Sequence, residues 1–315
     1  MNAVAAVRAA WRALTINLLR SVLTMLGIII GVGAVITMVA IGAGAQARVE
    51  EQIQSLGTNI MLIVPGAQTT SGVRLGAQTG QSLTEFDAAA IALEVPEVQA
   101  AAPSLRTGAQ VVAGNVNWAA PVFGTTPDYF EVRDWPLAAG RNIEEAEVAG
   151  AGKVAILGAT VVEQLFGDAD PIDQVVRVKN VPLTVIGVLT RKGQNSAGQD
   201  QDDVVVVPIS TFRHRIQGWG GGKLKRVGAI SVKVREGQDM RAAEDHVREL
   251  LRQRHRIPDG LEDDFGLRNL TEMLAAQEEA SRTMTMLLAA VAGVSLVVGG
   301  IGIMNIMLVS VTERT

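Results

Sequence analysis

The 315-residue chain contains no cysteine. Thiol nucleophiles, disulfide staples and cysteine-based metal sites are therefore excluded, while an oxidising compartment is permitted without being required. Histidine is nearly as scarce. His214, His246 and His255 are the only three, and they stand among arginines with no carboxylate pair at ligand spacing in the surrounding sequence. There is no GxSxG elbow, and no GxGxxG follows a strand pattern. Gly150-Ala-Gly-Lys153 looks like the end of a phosphate-binding loop. Glu147, however, stands where that motif needs glycine, and Val154 where it needs serine or threonine. The reading is a chain that is not an enzyme, with no cofactor and no catalytic or metal-binding residue. A net charge of −4 argues against nucleic acid as a partner.

Charge itself is missing from two long stretches, 21–47 and 283–312. Each exceeds the roughly 20 residues that cross the hydrocarbon core of a bilayer as a helix. We expect transmembrane helices at 22–41 and 284–311. All acidic residues but Glu313 lie between 49 and 283, so a water-facing domain separates the spans. The second span would be about 42 Å long as a helix. That is more than the bilayer core needs, so its start tilts or projects as a stalk over 271–283. Residues 1–21 carry Val4, Val7, Trp11, Leu14 and Leu18 on one helical stripe and Arg8 and Arg12 on another face. This is the pattern of an interfacial helix, with Arg8, Trp11, Arg12 and Arg20 anchoring it at the lipid surface. The arginines before the first span keep the N-terminus cytoplasmic and place 49–283 outside. Gly27 and Gly31 form a GxxxG pair, and Gly299, Gly300 and Gly302 punctuate the second span; all five are candidates for close helix packing. Asn305 is the strongly polar side chain of that span and is read as bonding a neighbouring helix.

Between the spans, strand and helix patterns alternate, an α+β arrangement with β-rich inserts. Strands are expected at 59–65, 98–112, 116–123, 154–157, 175–178, 183–189, 204–207, 230–234 and 265–270. Helices are expected from Thr84, with Asp87 completing a capping box, at 160–166, from Thr211 and at 239–254. Residues 68–81 and 191–203 read as polar loops. Asn269 and Glu272 are spaced as a cap for the helix that runs into the second span. Asp200, Asp202 and Asp203 could suggest calcium, but the glycine and glutamate of a calcium loop are missing, so a solvated loop is favoured. Arg191, Lys192, Arg213, Arg215, Lys223, Lys225 and Arg226 form a basic region, read as solvated surface with a docking patch as the alternative.

Several stretches carry a family resemblance that covers nearly the whole chain. Residues 19–45, LRSVLTMLGIIIGVGAVITMVAIGAGA, look like the first transmembrane helix of MacB/FtsX-type ABC transporter permeases. SLGTNIMLIVPG at 55–66 resembles the first strand of their periplasmic core domain. FGTTPDYFEVRDWPLAAGR at 123–141, VAILGATVVEQLFG at 154–167 and VIGVL at 185–189 resemble later parts of it. GGIGIMNIMLVSVTERT at 299–315 looks like the signature leading into the cytoplasmic coupling segment. The resemblance implies a multi-pass permease of the bacterial inner membrane that works as a dimer by mechanotransmission. Its outer domain would comprise a split porter-like subdomain (49–126 and 216–270) and an inserted β-richer subdomain (127–215). A cytoplasmic ABC ATPase would meet Thr312, Glu313, Arg314 and Thr315, and some relatives add a membrane-fusion adaptor and an outer-membrane channel. Four spans are usual in the family, so the sequence reads as a fragment ending where the coupling segment begins, with the ATPase on a separate chain. Two alternatives remain at this point: a non-transporting regulator of a cell-wall hydrolase, and a two-span sensor receptor.

Overall fold

A computed structural model of the chain describes residues 59–66, 82–194, 198–217 and 225–269 continuously. It also describes residues 69–70 and 73–74, and separate helical positions between 18 and 44 and between 272 and 304. The chain divides into two units, Glu51–Leu274 and the paired terminal segments.

The first unit is built on a ten-stranded sheet. In chain order its strands are β1 (Ile60–Pro65), β4 (Val98–Ala113), β5 (Val116–Thr125), β6 (Leu137–Gly140), β7 (Val154–Leu157), β8 (Val175–Val178), β9 (Val181–Leu189), β10 (Val205–Pro208), β11 (Ala229–Val234) and β12 (Phe265–Asn269). The short β2 (Thr69–Thr70) and β3 (Val73–Arg74) pair with each other, inside the stretch expected to be a loop. The helices are α1 (Glu85–Glu94), α2 (Asp128–Val132), α3 (Glu145–Ala149), α4 (Ala159–Phe166), α5 (Ile209–Thr211) and α6 (Met240–His255). A π-helical turn, Phe212–Ile216, continues α5.

Local sequence explains most of these elements. Thr84 and Asp87 form the expected reciprocal capping box of α1. Asp239 caps α6, whose Ala243, Val247, Leu250 and Leu251 recur on one buried face. Gly114, at φ 55° in the two-residue loop between β4 and β5, supplies the positive φ that a type II′ hairpin needs. Lys179 and Asn180, both at positive φ, make a type I′ turn between β8 and β9.

The strand order is β12-β1-β11-β4-β5-β10-β7-β9-β6, with β8 joining β9 back to β4. The pairings β4-β5-β10-β7-β9-β8-β4 therefore close a six-stranded ring. The 16-residue β4 serves both halves. Its first part pairs with β11 in the open sheet, and its second part pairs with β5 and β8 in the ring. The ring thus draws its walls from both sides of the boundary expected at 127.

One core runs beneath α1 and α6 on the open sheet and continues among Val111, Val122, Val178, Leu183 and Val205 of the ring strands. A second core joins Ala100 and Ala102 of β4 to Tyr129, Phe130, Trp135 and Ile186. Val205 and Val207 of β10 belong to the first core, Val204 and Val206 to the second. Both faces of β10 are covered, which is why it reads as an unbroken valine run rather than an alternation. Gly124 of β5 lies against Phe212, where an added Cβ would sit 2.3 Å from the phenylalanine Cβ. This contact seats the chain as it returns from the ring.

In the terminal unit every described position from 25 to 44 and from 279 to 304 is helical. Among the described residues, no helix is long and apolar enough to cross a membrane. Much of the spans expected at 22–41 and 284–311 lies outside the described residues, as do Arg8, Trp11, Arg12, Arg20, Gly27, Gly299, Gly302, Asn305 and residues 312–315.

Candidate functional site

Two features stand out: where the chain enters and leaves the sheet, and a charged clamp at the opposite end of the same strands. β1 and β12 are antiparallel neighbours, with Met61 opposite Asn269 and Pro65 opposite Phe265. The first and the last strand of the sheet in chain order are thus neighbours, with β12 at the edge and β1 beside it. Asn269 then caps the departing helix, its Oδ1 accepting from the Glu272 N–H at 3.1 Å. Glu272 also meets Arg241, in the first turn of α6, at 3.4 Å. Both side chains of that pair are exposed, so it adds little stability on its own.

At the other end, Asp87 is buried beneath α6. Its carboxylate accepts from the Thr84 N–H and hydroxyl, from Arg254 Nε at 2.9 Å and from His255 Nε2 at 3.4 Å. His255 Nδ1 faces Asp264 at 2.7 Å. The Asp264 carbonyl in turn accepts from the Gly66 N–H and the Ser82 hydroxyl. The cluster therefore ties α1, α6 and the facing ends of β1 and β12 together. Burial pushes the Asp87 carboxyl up, but the bonds from His255, Thr84 and Arg254 outweigh it and hold the group well below the usual carboxylate range. The bonds to Asp264 and Asp87 push His255 up to about 9. The lone pairs of Asp87 are occupied, so the cluster is built to hold elements together rather than to take a ligand.

This corrects the reading of the histidines. His255 does have two carboxylates, but they arrive through the fold, one of them from α1. His246 likewise meets Glu97 at 3.0 Å. Among the described residues, no group of three His, Asp or Glu side chains could hold a metal ion.

The aspartate loop is also not simply solvated. Asp202 is buried and accepts from the Lys192 and Gly193 N–H groups at 2.7 and 2.8 Å. Asp200 accepts from the Thr160 hydroxyl, and Asp203 from Trp118 Nε1. Asp202 thus satisfies loop donors that packing has removed from water, while Asp200 and Asp203 tie the loop to α4 and β5. The basic region divides: Lys225 meets Glu85 at 3.4 Å, the same carboxylate that Arg213 engages, Arg191 and Lys192 are engaged elsewhere, and Lys223 lies outside the described residues. Arg213 is buried against Glu85, Arg191 pairs with Glu163 on α4, and Lys192 lies over the Trp135 ring at 5.5 Å. Burial, with Arg133 nearby, pushes the Lys192 amine down to about 8. Beside it, between α2 and β6, lies a shallow cavity of about 430 Å³ lined by Phe130, Glu131, Asp134, Trp135, Pro136 and Leu137. Asp134 is already engaged by Lys233.

Of the packing glycines, Gly31 is half-buried and Gly300 is exposed; nothing lies within 4 Å of a Cβ added at Gly300. Sequence reasoning passed over Asp87 as a fold-wide anchor because its local role as a cap already explained it.

Residues 21–250 match the family model for the MacB-like periplasmic core domain. A macrolide export ATP-binding/permease protein MacB from Syntrophobacter fumaroxidans is 39% identical over 95% of this chain and 49% of its own length. One from Azoarcus sp. is 41% identical over 99% of this chain and 45% of its own length. The chain thus spans about half the length of the curated relatives it matches. Among solved structures, the periplasmic region of MacB from Actinobacillus actinomycetemcomitans superposes with a TM-score of 0.58 at 26% identity, covering 73% of this chain and 97% of that one. The extracellular domain of the transporter YknZ shares the fold, with a TM-score of 0.52 at 16% identity over 67% of this chain and all of its own.

Proposed function

Because the chain belongs to the family with a MacB-like periplasmic core domain, we propose that it is the permease part of an ABC-type exporter of the bacterial inner membrane, with the sheet domain outside. The motor would be a cytoplasmic ABC ATPase that meets Thr312, Glu313, Arg314 and Thr315. A second copy of the chain, and in some systems a membrane-fusion adaptor and an outer-membrane channel, would complete the machine. Macrolides are the cargo in the names of the relatives.

The observation that carries this reading is the pairing of the first strand, β1, with the last, β12. Two strands joined by a backbone ladder resist sliding, because a one-residue slip turns every side chain to the wrong face. A common shift of the terminal segments, in contrast, leaves the ladder intact and moves the sheet as a body. The arrangement suits mechanotransmission: motion started at the ATPase enters the outer domain through neighbouring strands. Large apolar side chains exposed along the terminal segments, among them Ile29, Ile30, Ile36, Val291 and Val297, support a lipid environment for them. On this reading Arg8, Trp11, Arg12 and Arg20 rest at the lipid surface, and Gly27, Gly31, Gly299, Gly300 and Gly302 serve helix packing.

The test is capture of the ATPase by the full-length permease. Glu313→Ala with Arg314→Ala is expected to abolish co-purification and stimulation of ATP hydrolysis. Unchanged binding and unchanged hydrolysis would overturn the proposal.

A further inference from the structure

Within the terminal unit, the two helical segments meet at a tight place. A Cβ built on Gly42 would lie 2.7 Å from the Cγ2 methyl of Thr285, 3.1 Å from its Oγ1 and 3.5 Å from its Cβ. Thr285 is not free to swing aside, because its hydroxyl donates to the Ser281 carbonyl at 2.9 Å. A β-branched side chain held this way has its methyl direction fixed as well. The approach is local. Nothing lies within 4 Å of a Cβ added at Gly33, Gly44, Gly293 or Gly300.

Burial follows the same geometry. On the first segment the half-buried described positions are Gly31, Met38 and Gly42, spaced seven and four apart, which is one helical stripe. On the second they are Ser281 and Thr285, one turn apart. Ile36, Ile41, Met284 and Met286 are exposed. Gly42 and Thr285 are where these two half-buried stripes meet.

We infer that Gly42 and Thr285 form a notch and tooth that set the closest approach of the two terminal helices, and that only glycine at position 42 admits it. Any side chain there brings a carbon to 2.7 Å of a methyl group, closer than packed atoms tolerate. Thr285 must then give up its bond to Ser281, or the helices must part. The device works as a latch: seated when the notch is empty, released when it is filled. It does not depend on the export reading, since it concerns how the two helices fit.

The 315 residues hold no cysteine of their own to compete with an introduced pair. A Cβ–Cβ separation of 3.5 Å is within reach of a disulfide. In the full-length protein in native membranes, Gly42→Cys/Thr285→Cys is expected to cross-link within one chain about ten-fold faster than Gly44→Cys/Thr285→Cys. Equal rates, no 42–285 bond, or a bond only between copies would overturn the inference. A second measurement covers the effect of filling the notch. With spin labels at Ile41→Cys and Met284→Cys, Gly42→Val is expected to lengthen the interhelical distance. Gly42→Ala is expected to lengthen it as well, and adding Thr285→Gly to Gly42→Ala to restore it, because the tooth is gone. A distance unmoved by Gly42→Val, or not restored by the paired change, would refute the latch.

Discussion

The imidazole of His255 faces Asp264 through Nδ1 at 2.7 Å, and the same ring reaches Asp87 through Nε2. Because the folded pKa is raised from 6.5 to about 9, the charged ring contributes stability that is complete below 6.5 and is lost as pH rises toward about 9. The melting temperature of the full chain should fall across that window. In His255→Gln the fall should flatten, and stability below pH 6.5 should drop by about 2 kcal/mol. A pH profile identical to the parent would contradict the role assigned to the ring.

Asp87 carries the opposite sign. Its carboxyl is depressed, so its contribution is present above the ordinary value of 3.8 and disappears as pH falls toward the lower folded value. Asp87→Asn should remove most of the acid-sensitive slope and cost about 2 kcal/mol, since the buried His255 ring and the partly exposed Arg254 lose their shared partner. Thr84→Ala removes a cap and should cost only about 1 kcal/mol. Urea unfolding of the two variants compares them directly.

Gly124→Ala tests how the chain is seated after the ring. The new methyl would overlap Phe212, whose own Cβ is the nearest atom and cannot rotate away. A loss of about 3 kcal/mol or more is expected. Phe212→Ala should not rescue it, because the clashing Cβ remains. Recovery in the double variant would show that the contact is with the ring rather than the backbone side.

Lys192 supplies a counter-current to His255. Its folded pKa, about 8, lies below the usual 10.5, so the folded state sheds its proton first and stability rises between those values. Lys192→Met should remove this rise and steepen the alkaline decline above pH 8. Isotope-edited NMR of the lysine side chain should show a midpoint near 8.

How much of this was readable in advance follows from sequence distance. The capping box at Thr84 and Asp87, the valine run of β10 and the turn at Gly114 are local, and their residue types dictate them. The cap from Asn269 to Glu272 is equally short-range, and the structure has it. Arg254 and Asp87, by contrast, are 167 positions apart, and nothing around either names the other. The closure of β8 onto β4 is hidden for the same reason: it depends on register between Val111 and Val178, not on any local pattern. Asp202 misled because its acidity was visible while the loop donors it serves were not. The helix α2 and strand β6, both short, carried too little periodicity to be separated from the surrounding loop.

β4 has one more implication. Since it belongs to the open sheet over its first half and to the ring over its second, its residues must be counted correctly in two registers at once. Deleting a single residue near Leu105 would turn the whole distal half inside out while leaving the proximal half in place. Among relatives this strand should therefore keep its length to the residue. In that sense β4 is the ruler of the domain: side chains along it can be exchanged, but its number of steps cannot.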